Sequence, residues 1–153
     1  GVSVFATGGI GGVHRGAELT MDVSADLTEL ARTPVTVVCA GIKSILDIPK
    51  TLEVLETMCV PVLGYKCEDF PAFFTNNSGI KSPMVADCAA TVARIMHQNQ
   101  HLELKNGLLV GVPNPSPVAD SEAIHTVVQA ALAEAEKLHI TGAKITHFVL
   151  AKV

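Results

Sequence analysis

The residues best equipped for chemistry gather in two short stretches, T-G-G-I-G-G-V-H-R-G (Thr7 to Gly16) and A-G-I-K-S-I-L-D (Ala40 to Asp47). In the first, Gly8, Gly9, Gly11 and Gly12 follow a strand-like run. With no Cβ in the way, their backbone N–H groups can converge on an anion such as phosphate. Thr7, His14 and Arg15 add a hydroxyl, an imidazole and a guanidinium, a donor set suited to phosphate and sugar. The plain alternative is a tight turn that packs a strand against a helix. Two nucleotide fingerprints fail in register. Gly9 and Gly11 fit the start of G-x-G-x-x-G, but His14 stands where its third glycine belongs. Gly11 and Gly16 have the Walker spacing, but Ala17 replaces the required lysine.

In the second stretch, Lys43 follows the apolar run Val35 to Ala40 and a glycine. That places it at the carboxyl end of an expected strand, where ligands collect in α/β sheets. An unperturbed lysine amine is neutral in only about one molecule in 2,500 at pH 7, so nucleophilic use requires burial or neighbouring cations. A surface lysine is the competing reading. Glu18, Asp22, Asp26 and Glu29 lie between the two stretches, either as ligands for a hard cation or as a solvated helix face. Their spacing matches no EF-hand and includes no histidine pair.

The elements that must position these groups alternate along the chain. Ser3 to Thr7 predicts a buried strand running into the glycine loop, and Ser24 caps a helix through Ala31. The β-branched run from Val35 predicts a second strand, Asp47 caps a helix to about Met58, and Pro61 to Tyr65 predicts a third strand. Lys66 to Pro83 has no sustained period and predicts an ordered loop. Met84 to about Gln98 predicts a helix with Cys88, Val92, Ile95 and Met96 inward, and Leu108 to Val112 a fourth strand. After the proline-rich run P-N-P-S-P, Ser121 caps a helix whose inward stripe is Ile124, Val127, Val128, Ala131, Leu132, Ala135 and Leu138, ended by Gly142. This order predicts an α/β fold, layered α/β/α with a mostly parallel sheet, in which residues 1–153 form one unit.

Of the 153 residues, 48% are hydrophobic, enough for a core, yet no apolar run approaches the roughly 18 residues of a membrane span. A soluble protein is expected. Gly1 leads straight into a strand-like run, with no secretory signal visible, so the start reads as cut. The net charge of −4 speaks against nucleic acid as a partner and for a small ligand. Cys39, Cys59, Cys67 and Cys88 make no C-x-x-C pair, which fits buried thiols in a reducing compartment rather than a zinc site.

Four ordered blocks carry a resemblance: Thr7 to Gly16, D-V-S-A-D-L-T-E-L (Asp22 to Leu30), A-G-I-K-S-I-L-D-I-P-K-T (Ala40 to Thr51) and E-D-F-P-A-F-F (Glu68 to Phe74). Together they are similar to the pseudouridine 5′-phosphate glycosidase family, also called indigoidine synthase A-like. Family members are roughly twice as long, which implies a central catalytic segment whose fold is incomplete without its flanks. The resemblance implies reversible conversion of pseudouridine 5′-phosphate and water into uracil and ribose 5-phosphate, with Mn²⁺ as cofactor. By motif position it puts the Schiff-base lysine on Lys43, the manganese-binding aspartate on Asp26 and the active-site histidine on His14. Thr7 and Ser24, with Gly8, Gly9, Gly11 and Gly12, fall around the phosphate.

The same resemblance implies a homo-oligomer, a trimer, while the cysteine usage points to the cytoplasm, with the mitochondrion left open. Cys67 and Phe74 depart from the Thr and Tyr expected there. A glutamate acid/base, a phosphate-side lysine and a uracil-binding asparagine are expected outside the segment, and Asn114 does not take the last role. Two other functions compete: a non-catalytic sugar-phosphate-binding module and a Schiff-base phosphosugar aldolase.

Overall fold

Period-two alternation in the aliphatic runs builds a sheet with two buried faces. In the computed structural model, which describes residues 1–115, 121–140 and 143–152, β1 (Val4–Ala6), β2 (Thr36–Cys39), β3 (Val62–Tyr65), β4 (Met84–Ala86) and β5 (Leu108–Gly111) form one sheet. Its order is β1-β2-β5-β3-β4 and every pairing is parallel, with Thr36 opposite Leu108 and Val62 opposite Leu109. Parallel neighbours need crossovers, and helices supply most of them. The helices are α1 (Ala17–Thr20), α2 (Ala25–Arg32), α3 (Ile48–Thr57), α4 (Ala89–His101), α5 (Ser121–Lys137) and α6 (Ala143–Leu150).

Val37, Cys39, Val62 and Leu109 point into the larger core, where Leu27, Leu55, Val128 and Val149 of four helices meet them. Leu63, Leu108 and Val110 turn to the opposite face, covered by Val92, Ile95 and Met96 of α4. This is the layered α/β/α arrangement the element order implies. Among the described residues no helix is long and apolar enough to cross a membrane.

The two faces are unequally covered. α4 has no buried residue, and its three apolar side chains are only partly buried. β1 sits at a sheet edge and is exposed throughout, with Phe5 53% accessible, so the expected buried first strand is corrected to an open edge strand. At the other edge, Met84 and Val85 pair with Leu63 and Gly64, and the helix expected from Met84 starts instead at Ala89. Three residues cannot display a helical period, which hid β4 and made Leu108–Gly111 the fifth strand rather than the fourth.

Other corrections are local. Cys88 is exposed at the N-cap of α4 instead of inward, and of the four free thiols only Cys39 is buried. In α5, Ile124, Val128, Ala131 and Ala135 are buried as expected, but Val127 and Leu138 face outward. Ser121 opens α5 rather than preceding it, and Gly142 lies outside the described residues. The short α1 and the C-terminal α6 went unread.

The caps that aim the two chemical stretches follow local rules. Ser24 Oγ accepts the Asp26 N–H at 3.2 Å, and Asp47 Oδ1 accepts the Lys50 N–H at 3.1 Å. Lys50 Nζ then bridges Glu18 at 3.0 Å and Asp47 at 3.1 Å, orienting α1 on the start of α3. Such exposed, water-screened pairs add little stability, so burial of Leu52 and Leu55 seats α3.

Candidate active site

The glycine loop leaves β1 at the carboxyl end of the sheet and is held on several sides. The amides of Thr7, Ile10, Gly11, Val13 and His14 donate to Val38 O, Gly41 O, Asp26 Oδ2, Thr51 Oγ1 and Asp22 O. The amides of Gly8, Gly9 and Gly12 take no partner among the described residues, so part of the expected anion-binding capacity is uncommitted. Two of the glycines serve packing. A Cβ on Gly11 would lie 2.3 Å from Ser24 Oγ, and one on Gly12 would lie 2.4 Å from Thr51 Oγ1. The tight-turn and anion-cradle readings therefore both hold within one loop, and at Gly12 they hold for the same residue.

Asp26 stands in the first turn of α2, with Oδ2 accepting the Gly11 N–H at 2.7 Å. Thr7, Gly9 and Asp26 share a hollow of about 360 Å³ beside Phe5, Val35 and Val37. Among the described residues no three His, Cys, Asp or Glu side chains gather as metal ligands. What the donor set fits is a largely hydrated divalent ion on one exposed carboxylate, not an all-protein cage.

His14 is paired. Its Nδ1 lies 3.9 Å from Asp22 Oδ2 and its side chain is only 14% accessible, while its amide donates to Asp22 O at 3.0 Å. Val13 and Val23 form an antiparallel bridge beside this contact. Arg15 is exposed and lines a larger cleft of about 590 Å³ with Ser44, Asp47 and Thr75.

Lys43 lies four residues beyond the carboxyl end of β2. Its amide donates to Ile10 O at 3.3 Å, and Ile42 bridges Ile10, so its backbone lies against the glycine loop. The side chain is half-buried and makes no hydrogen bond or ion pair among the described residues. Lys43 is not paired with Asp26 or His14, and it lines neither hollow named above. The backbone thus brings Lys43, Ser24, Asp26 and the glycine loop together, while His14 faces Asp22 on the loop's far end.

Sequence reasoning missed what holds this group. Residues 70–75 form a strap over the turn that carries Lys43. Phe73 N–H donates to Ala40 O at 2.9 Å, Ala72 bridges Gly41, and Ser44 Oγ donates to Ala72 O. Gly41 has φ +108°, and a Cβ there would lie 1.8 Å from Pro71 O, so only glycine fits. Phe74 meets Phe73 edge-on, with ring centroids 4.6 Å apart. The P-A-F-F run and the glycine two residues before Lys43 were the available signals. Beneath β2, burial pushes the Cys39 thiol up to about 11, against the pull of the Gly41 amide.

The model of the family described as indigoidine synthase A like protein matches residues 1–153. The chain belongs to the indigoidine synthase A-like family. Over its whole length it is 50% identical to a protein from Methylobacterium nodulans named pseudouridine-5′-phosphate glycosidase, covering 46% of that protein. It is 49% identical to an Arabidopsis thaliana protein of the same name, covering 47% of it. Among solved structures, it is similar to the prealnumycin C-glycosynthase AlnA in complex with ribulose 5-phosphate, at TM-score 0.88 and 33% identity over 98% of this chain and 50% of that one. An indigoidine synthase A-like protein from Thermotoga maritima gives TM-score 0.83 at 37% identity over 98% of this chain and 49% of that one. The chain spans about half the length of the family members it matches.

Proposed function

We propose that this chain is the catalytic segment of a pseudouridine-5′-phosphate glycosidase, which cleaves the C–C glycosidic bond of pseudouridine 5′-phosphate to give uracil and ribose 5-phosphate. One observation carries the reading: a half-buried Lys43 just beyond the carboxyl end of β2, unpaired among the described residues, its backbone bonded to a glycine loop whose amides at Gly8, Gly9 and Gly12 take no partner among them. The name shared by relatives about half identical along the entire chain supports the choice of substrate. So does the ribulose 5-phosphate named with the C-glycosynthase neighbour.

The chemistry follows from the leaving group. An ordinary glycoside departs when its heteroatom is protonated, whereas a carbon leaving group requires the sugar to open. The Lys43 amine bonds to C1′ as the C1′–O4′ bond opens and O4′ takes a proton. The C1′–C5 bond then breaks, the nitrogen lone pair completes the imine, and the departing pair on uracil C5 takes a proton. Water hydrolyses the imine to ribose 5-phosphate and the free amine. Gly8, Gly9, Thr7 and Ser24 bind and orient the phosphate end, and His14, fixed by Asp22, donates to the sugar. Asp26 is the residue that would hold Mn²⁺, which when bound supplies positive charge near the reacting sugar. Proton donors to O4′ and C5 come from outside residues 1–153, and the assembly is a homotrimer.

The decisive experiment is product analysis with the full-length enzyme and pseudouridine 5′-phosphate. Release of uracil and ribose 5-phosphate in equal amounts is expected. Release of neither returns the chain to a sugar-phosphate-binding module, and cleavage within the sugar carbon chain to a Schiff-base aldolase.

A further inference from the structure

Phe73 adopts φ +64°, a left-handed conformation that bulky side chains seldom take. Such a backbone persists only where its surroundings over-determine it, and it marks places where a conformation serves a task. Here the surroundings are the Ala40 carbonyl that receives the Phe73 amide, the Gly41–Ala72 bridge, and the edge-on Phe74 ring. The conformation lays the Phe73 ring on the glycine loop. A Cβ built on Gly9 would lie 2.5 Å from its Cδ2, and one on Gly8 would lie 3.3 Å from its Cε2.

Between the anchored amides of Thr7 and Ile10, Gly8 and Gly9 have one backbone bond among the described residues, Ala40 N–H to Gly8 O at 2.9 Å. Glycine backbones gain no rigidity from side chains of their own. Besides the Gly41 carbonyl, 3.2 Å from the Cβ position of Gly9, the ring is the group packed against this turn among the described residues, and it reaches in from the strap that also clasps the Lys43 turn.

We propose that Phe73 is a positioning residue that holds the Gly8–Gly9 turn in the shape that receives the sugar phosphate. The proposal rests on the function given above, and it acts on binding more than on the bond-breaking step. The backbone bonds of residue 73 survive a side-chain truncation, so loss of the ring loosens the glycine loop and leaves the Lys43 turn in place.

The test uses the full-length enzyme. Phe73→Ala is expected to raise KM for pseudouridine 5′-phosphate at least about fivefold with kcat within about twofold, and Phe73→Leu to restore most of the affinity. Gly9→Ala is expected to raise KM further in the parent enzyme, because its methyl group meets the ring. In the Phe73→Ala background the same change is expected to cost clearly less. Calorimetry with ribose 5-phosphate reads the same couplings without turnover. An enzyme that binds ribose 5-phosphate but releases no uracil condemns the reaction alone. Phe73→Ala that stays folded with unchanged KM and ribose 5-phosphate affinity overturns the positioning role, as does a Gly9→Ala penalty equal in both backgrounds.

Discussion

Asp26 and Gly11 are joined by a short hydrogen bond, the Gly11 N–H donating to Asp26 Oδ2 at 2.7 Å, which ties the first turn of α2 to the middle of the glycine loop. The carboxylate assigned to a metal therefore has a second duty that can be separated from it. Asparagine keeps an acceptor for the Gly11 amide but loses the charge. Asp26→Asn is expected to fold normally and lose most of its Mn²⁺ dependence, whereas Asp26→Ala also gives up about 1 kcal/mol of stability. Unchanged manganese titration curves for Asp26→Asn would refute the metal assignment.

Lys43 is expected to form the imine. Borohydride added with ribose 5-phosphate should fix an adduct that mass spectrometry places on Lys43. Lys43→Arg keeps a cation but cannot condense with a carbonyl, so it should bind ribose 5-phosphate and release no uracil. An adduct on Lys50 or Lys66, or an active Lys43→Arg enzyme, sinks the mechanism.

Gly41 tests the strap. Gly41→Ala drives a methyl group into Pro71 O and is expected to cost about 3 kcal/mol or more, read as a lower denaturation midpoint. Gly79 is the control, since it has φ +75° but open space around its Cβ position. Gly79→Ala should cost only about 1–2 kcal/mol, the backbone penalty alone. Equal losses would mean that the Pro71 contact is not formed.

The buried Cys39 thiol gives the fold an alkaline weakness. Its folded pKa, pushed up to about 11, lies above the ordinary value of 9.0, so the unfolded chain releases this proton first. The contribution is fully present below pH 9.0 and is lost as pH rises toward 11. It amounts to roughly 2–3 kcal/mol at most. Melting temperatures of Cys39→Val should fall less steeply than those of the parent between these pH values. Parallel curves would contradict the assignment.

What the sequence made legible was local. Ser24 and Asp47 announced their helices because a cap bonds to an amide two or three residues away. Val37 and Leu109 announced a buried sheet because each stands in a short continuous run of β-branched or aliphatic residues, the mark of a strand covered on both faces. The missed features join distant residues: Val13 to Thr51, Gly41 to Pro71, Gly9 to Phe73. Nothing local distinguishes a glycine kept free for a phosphate from one kept small for a neighbour, so Gly8 and Gly12 read alike until Thr51 was seen against Gly12. β1 was misjudged because exposure depends on a strand's place in the sheet, and β4 because three residues are too few to display a period.

The strand order also governs how such a chain can be made. Of the five strands among the described residues, β5 comes last in sequence and stands centrally in the order, and β2 and β3 meet only through it. Until Leu108 to Gly111 emerge from the ribosome, these five strands pair at most as β1 with β2 and β3 with β4, and an isolated strand pair is marginal in water. Closure then joins segments far apart along the chain, a slow event during which apolar edges stay open to other chains. A truncation upstream of Leu108 therefore does not shorten the sheet; it divides it.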